Sequence, residues 1–341
     1  MTSNPADKYA GAVLEREFIG YGMDSPDPQW PGGANIAVSF VINYSAGAEL
    51  SLLHGDTEGE THLTEIPARA KLLGKRFDMI EGQYEYGARE GVPRLLRLFE
   101  EYGMKCTWNV STLALEQAPY WAKALVESGS EISCAGKRYL DYANVAPEVE
   151  EQHILEAITS LQTITGDKTL PHGWFVDRPS NISTLLYTRA HSSLHLPTPY
   201  SSDSSSDELP FWVPSPLAAE GKEDTGLLMV PMSHDTGDWK FSGRGAGWAS
   251  PKDFHQYLKD TFDILYEEGE EGQGKMMTVV LHPHVVGHGG RTFYLEKFLQ
   301  YIKSQPKVWV ATRSQIAEHW ATRFPYDPTK AFGQTKNVAC W

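Results

Sequence analysis

The sequence is poor in cysteine, in positive charge and in long apolar runs, and each shortage narrows what the chain can be. Its three cysteines, Cys106, Cys134 and Cys340, are odd in number and form no metal-like spacing. They argue for buried free thiols in a reducing, cytoplasmic setting. Thirty Lys and Arg against 44 Asp and Glu leave a net charge of −14, which argues against nucleic acid or an anionic membrane as partner. No apolar run approaches the ~20 residues of a membrane span. The opening MTSNPADKYAGAVLEREF has no apolar core of a secretory signal. No G-x-G-x-x-G follows the first strand-like run and no Walker sequence occurs, so no nucleotide cofactor is expected. Neither Ser45 nor Ser133 sits in a G-x-S-x-G turn, and no pair of carboxylates of glycosidase type stands at the strand ends.

What the chain does have is a recurrent alternation of short apolar runs and amphipathic stretches. NIAVSFVIN (35–43), MKCTWNV (104–110), SEISCAG (130–136), LPHGWF (170–175), LLMVPMS (227–233), MMTVVLH (276–282) and VWVATR (308–313) read as strands, with a weaker one near residue 196. REGVPRLLRLFEEYG places Val92, Leu95, Leu96 and Phe99 on one face and stops at Gly103. Segments 147–166, 251–269 and 314–324 behave alike. Strands alternating with helices predict an α/β fold around a parallel sheet, better closed into a barrel than left open. The Ser-, Asp- and Pro-rich stretch from Pro197 to Pro216 reads as a linker or, given Tyr200, Phe211 and Trp212, as an ordered loop over a site.

In such a barrel the chemistry gathers at the C-terminal strand ends. Those ends carry Asn43, Tyr44 and Ser45; Trp108 and Asn109; Ala135; Trp174; His234 and Asp235; and His282. A histidine leaving a buried strand at the barrel mouth suits proton transfer, and a backbone-bonded histidine is the alternative. His284 and His288 follow it, but Pro283 and three glycines make a helical metal pair unsuitable. Asp235 and Asp238 could orient a histidine, bind a polar substrate or cap a turn. Arg178 could bind a carbonyl or carboxylate, or pair with Asp177 or Glu208.

Read in order, WPGGANIAVSFVINYSAGAE, LHGD, QYEYGAREGVPRLLRLFEEYGMKCTWNV, EISCAGKRYLDY, PHGWFVDRPSN, DELPFW, HDTGDWKF and LHPHVVGHGGRTFYLEKF resemble the polysaccharide deacetylase superfamily. They most resemble the branch of uricolytic allantoinases and intracellular peptidoglycan-deacetylase-like proteins. The resemblance implies a single-domain, distorted TIM-like (β/α)7 barrel over 21–324, after an N-terminal extension (1–20) and before a C-terminal tail (325–341). It implies hydrolysis of C–N bonds in acetamides or the allantoin ring, and a possible homo-oligomer. It also exposes departures. The family's metal-ligand positions map to Ser45, Ala135 and Tyr139, and its base position to Asn43. His282 maps to the general acid, Arg178 to the arginine after the fourth strand, and Glu49, Glu131 and Arg138 match the branch.

The expectation is therefore a metal-independent small-molecule enzyme of amide or cyclic-amide hydrolase ancestry. His282, Arg178, Asn43 and Asp235 are its catalytic candidates. Tyr44, Ser45, Glu49, Trp108, Tyr139, Trp174, His234, Trp239 and His284 are its candidate substrate contacts, the aromatic ones being equally readable as core. A cyclase, isomerase or lyase, or a binding protein on an inactive barrel, remain alternatives.

Overall fold

The computed structural model describes residues 16–23, 25–65, 73–242 and 247–332, so residues 1–15 of the expected extension and 333–341 of the expected tail, with Cys340, lie outside it. The chain runs through β1 (Ile36–Tyr44), α1 (Asp78–Tyr86), α2 (Val92–Tyr102), β2 (Thr107–Val110), α3 (Thr112–Gln117), α4 (Pro119–Glu127) and β3 (Glu131–Cys134). It continues through α5 (Pro147–Thr165), β4 (Gly173–Trp174), α6 (Ser183–Ser193), β5 (Tyr200–Ser201), β6 (Phe211–Val213) and β7 (Leu227–Met229). It closes with α7 (Pro251–Glu270), β8 (Lys275–Leu281), α8 (Gly289–Ser304), β9 (Val308–Val310) and α9 (Arg313–Arg323).

The strands form one curled sheet in the order β6-β7-β5-β4-β3-β2-β1-β8, parallel except for β6. β1 is its axis. One edge pairs with β8 from Ile36 to Ile42, and the other is shared between β9 at its start and β2 at its end. The path does not close by strand pairing between β6 and β8. A backbone hydrogen bond from Met276 N–H to the Glu208 carbonyl, 2.9 Å, bridges that seam. This is the distorted barrel that the resemblance implies, as a single domain.

Both faces of β1 are buried, and the period of two decides what each face meets. Ile36, Val38, Phe40, Ile42 and Tyr44 join the large core beneath the helices, with Trp108, Val279, Leu281, Phe254 and Phe298. Burying each such side chain stabilises the fold by about 1.5–3 kcal/mol. The alternate residues face the barrel interior, where Val41, Phe175, Met232 and Val280 make a small apolar layer. Below it, Glu131 accepts from the Thr107 and Tyr200 hydroxyls, both at 2.8 Å, and from Ser314 N–H at 2.9 Å. Arg313, fully buried there, donates to the Thr278 hydroxyl at 2.9 Å and the Pro231 carbonyl at 2.8 Å. The interior is thus plugged from below and open to chemistry only at the strand ends.

The Pro197–Pro216 stretch is ordered: β5 and β6 lie in it, β5 a few residues beyond the weak run near 196. The part of the expected tail within view packs back on this edge. Phe332 N–H donates to the Trp212 carbonyl at 2.7 Å, and the Tyr326 hydroxyl to Asp224 at 2.7 Å.

Candidate functional site

Parallel register lines up the inner-face residues at the C-terminal strand ends. Asn43 stands opposite Asn109, and Asn109 opposite Ser133. On the other side Ile42 pairs with Leu281, so His282, one step on, flanks Asn43. These side chains form a continuous hydrogen-bonded row. The Ser133 hydroxyl donates to Asn109 Oδ1 at 3.0 Å. Asn109 Nδ2 donates to the Phe175 carbonyl at 2.9 Å and to Asn43 Oδ1 at 3.0 Å. Asn43 Nδ2 lies 3.2 Å from His282 Nε2.

The other ring nitrogen, Nδ1, is 2.7 Å from Asp238 Oδ1. Asp238 opens a short helical turn after β7 and is 0 % exposed. Its Oδ2 accepts the backbone N–H groups of His282 (2.7 Å) and Val286 (3.1 Å), so the carboxylate is fixed before it meets the imidazole. Burial alone would lower the His282 pKa; the Asp238 charge and hydrogen bond outweigh it and raise the value above that of an ordinary histidine. His282 is 3 % exposed and Asn43 5 %.

Over this row lies the chain from Ser45 to Glu65, in which the sequence marked Ser45, Glu49 and LHGD but not Glu60 or His62. Glu60 accepts from Arg178 Nη2 at 3.1 Å. The Arg178 guanidinium lies over the Tyr139 ring, 4.1 Å from its centroid, and its Nε has no hydrogen-bond partner among the described residues. The Tyr139 hydroxyl donates to Asp177 at 2.7 Å. Asp177 adopts a left-handed φ of 68°, with Arg178 N–H bonded to the Val176 carbonyl across it at 2.8 Å. Such a turn costs a non-glycine residue about 1–3 kcal/mol and recurs at functional sites.

His284 anchors the cover. Its Nε2 lies 3.2 Å from the Leu63 carbonyl and its ring stacks on Tyr84 at 4.4 Å. The Tyr84 hydroxyl donates to the His62 carbonyl at 2.9 Å. Burial, with positive charge on neighbouring His282, pushes the His284 pKa down to about 3, so it is a neutral donor. The helical run that carries Tyr84 passes close because of two glycines. A Cβ at Gly91 would stand 2.2 Å from the Pro283 oxygen, and one at Gly87 2.8 Å from the His284 backbone nitrogen. The turn from Gly87 to Gly91 is π-helical, a feature common at functional sites.

Of the expected catalytic residues, Asn43 and His282 touch, and Arg178, in the loop after β4, pairs with Glu60 of the cover. Asp235 does not take part in the histidine contact. It accepts from the Ser233 and Tyr257 hydroxyls, and with His234 it lines a cavity of about 410 Å³ between residues 205–208, the chain after β7 and β8. Asp238, three residues on, is the partner of His282, its side chain reaching the backbone just past the end of β8. Tyr44, Trp108 and Trp174 are corrections to the expected aromatic wall. Asn43 and Asn109 point inward, so their strand neighbours Tyr44 and Trp108 point outward into the helical core. Trp174 does the same on β4, where it stacks on Tyr187 and donates to His191 Nε2 at 2.9 Å. Trp239 donates to the His234 carbonyl at 2.9 Å, which places it beside the seam.

Glu49 is held at the root of the cover, where it accepts Gly47 N–H at 2.6 Å; burial pushes its pKa up to about 7. Asn109, Ser133, Glu60, His62 and Asp177 went unselected. Asn109 and Ser133 were detectable from alternation, since each is two residues from another inward-facing strand residue.

The metal that the resemblance implies needs imidazole and carboxylate donors. Ser45, Ala135 and Tyr139 offer a hydroxyl, a methyl and a phenol already bonded to Asp177. Burial and the Asp177 charge push the Tyr139 pKa well up, away from a phenolate ligand. This donor set does not fit the group. Among the described residues no three His, Cys, Asp or Glu side chains converge as a metal-holding group.

A curled, mostly parallel α/β barrel with a buried polar row at its strand ends is the frame of the site. Comparison with known proteins supplies the family. Residues 75–176 match the polysaccharide deacetylase family model. A Schizosaccharomyces pombe protein bearing the polysaccharide deacetylase name is 38 % identical over 302 residues, covering 87 % of this chain and 93 % of its own. The Helicobacter pylori peptidoglycan deacetylase is 26 % identical over 70 % of this chain and 87 % of its own. The crystal structure of PuuE allantoinase superposes with a TM-score of 0.85 at 38 % identity, covering 92 % of this chain and 99 % of its own. The chain belongs to the polysaccharide deacetylase family, whose members here point to hydrolysis at C–N bonds. Among the described residues no helix is long and apolar enough to cross a membrane.

Proposed function

We propose that this chain hydrolyses the C–N bond of a small acyclic or ring amide, with His282 moving the proton and without a metal at Ser45, Ala135 and Tyr139. The observation that carries the reading is the Asp238–His282–Asn43 line: a buried carboxylate fixed by two backbone N–H groups, an imidazole on it, and an amide facing Nε2. Water entering the site displaces the Asn43 amide from Nε2. It attacks the carbonyl carbon while Nε2 takes its proton, and the tetrahedral oxyanion meets the Asn43 amide hydrogens and the Arg178 guanidinium. The imidazolium, held by Asp238, then gives that proton to the departing nitrogen, and the C–N bond breaks. The likeness to an allantoinase favours a ring amide over a polymer, and the cover over the strand ends favours a compact substrate.

The test is turnover by chelator-treated protein on allantoin, hydantoin, acetamide and an N-acetylglucosamine oligomer. The expected result is cleavage of at least one small amide at a rate unchanged by chelation. Cleavage of the oligomer alone, activity only after a divalent metal is returned, or no turnover of any of the four overturns the reading.

A further inference from the structure

The row of carboxamides has a direction, and it is set far from the histidine. The Phe175 carbonyl can only accept, so the Asn109 group 2.9 Å away must be its NH2. That orientation leaves Asn109 Oδ1 to accept from the Ser133 hydroxyl and turns the same NH2 toward Asn43. Asn43 therefore presents Oδ1 to Asn109 and its own NH2 to His282. A ring nitrogen facing an NH2 donor must accept, so Nε2 carries the lone pair and Nδ1 the proton that Asp238 receives. An Asn43 turned the other way would set its NH2 against the NH2 of Asn109.

We propose that Asn109 is a positioning residue which, through Asn43, keeps Nε2 of His282 bare, so that the ring whose Nδ1–H Asp238 holds stays a neutral base instead of an imidazolium. This rests on the hydrolase reading for its catalytic meaning, but not for the protonation state of the ring. The charged groups around the ring place a proton on Nδ1 but do not keep one off Nε2. Asp238 from the turn after β7 engages Nδ1 and would favour an imidazolium. Asp177 from beyond β4 acts in the same sense, while His62 from the cover and His284 beyond β8 oppose it. Only the Asn43 amide meets Nε2 among the described hydrogen bonds, and only Asn109 orients that amide. The relay leaves a base ready for water where Asp238 alone would leave an acid.

The test reads the imidazole nitrogens of His282 by 15N NMR at mildly alkaline pH, in the full chain and in two variants. In wild type, Nδ1 should be protonated and Nε2 bare. Asn109→Asp keeps the shape but has at most one donor, so it cannot serve both Phe175 and Asn43. Asn43 should then turn its oxygen to His282, and both nitrogens should read as N–H. Asn43→Asp places an acceptor against Nε2 directly and should give the same doubly protonated signature if Asn109→Asp does not fold. On any amide the wild type cleaves, Asn109→Asp should lose ~10²–10³-fold in kcat with KM little changed, the share of a positioned base. A wild-type ring protonated at Nε2, or ring signals unmoved in whichever of these variants folds, overturns the proposal. If no amide is cleaved but the ring signals behave as stated, the hydrolase reading fails and the relay stands.

Discussion

Replacing Asp238 by Asn tests the site through stability and needs no substrate. Asp238 Oδ2 takes two backbone N–H groups, at 2.7 and 3.1 Å, and Oδ1 takes His282 Nδ1 at 2.7 Å. An asparagine keeps the two backbone bonds only by placing its oxygen at Oδ2, which turns its NH2 to Nδ1. The ring must then accept at Nδ1 and carry its proton on Nε2, against the NH2 of Asn43. Losing the charge-assisted bond and creating one buried donor–donor mismatch should together cost about 3–6 kcal/mol. That is a large part of the ~5–15 kcal/mol that holds a typical domain folded. The loss should depend on pH. The folded-state pKa of His282 is raised, so its contribution is complete below the unfolded value of about 6.5 and fades as pH rises through the folded value. Urea unfolding of both proteins at pH 5.5 and 8.5 should show the larger gap at the lower pH. An equal gap at both, or one that widens with alkalinity, would refute the pairing.

Other perturbations probe the parts that shape the site. Gly91→Ala puts a methyl 2.2 Å from the Pro283 oxygen; it should cost at least ~1–3 kcal/mol and lower the melting temperature measured by calorimetry. Glu60→Gln weakens the 3.1 Å contact with Arg178, whose side chain is 18 % exposed against 3 % for Glu60. Hydrogen exchange at residues 60–65 should quicken while the β1 core keeps its protection. His284→Phe keeps the stacking on Tyr84 but removes the donor to the Leu63 carbonyl; it should destabilise by ~1–3 kcal/mol in chemical unfolding at pH ~8, and the gap should shrink below about pH 6.5, where the unfolded wild-type histidine takes a proton that the buried one, held down to about 3, refuses.

Much of the scaffold was legible in the chain because its strands are long in apolar side chains. β1 and β8 appear almost residue for residue, and α2 stops at Gly103, whose φ of 65° suits glycine. The site was legible where one strand carries it: Asn43 and His282 end their own runs. It was not legible where tertiary packing decides. Tyr44, Trp108 and Trp174 share strand ends with site residues, and only their parity, odd or even along the strand, sends them to the core. Asp235 and Asp238 sit in one short motif, and only the turn shows which carboxylate reaches back to β8. The cover from 45 to 65 packs Ala46, Ala48 and Leu50 on the core, but its far part is tied down by polar links to Arg178, His284 and Tyr84, which no local pattern announces.

The central claim is that the Asp238–His282–Asn43 line, and not a metal, performs C–N hydrolysis. Its most direct test is the single-turnover rate of chelator-treated wild type beside His282→Gln on the best small amide. The account expects the metal-free wild type to turn over and the variant to lose ~10²–10⁴-fold while still binding the substrate. A variant as fast as wild type, or a wild type silent until metal is restored, would contradict it.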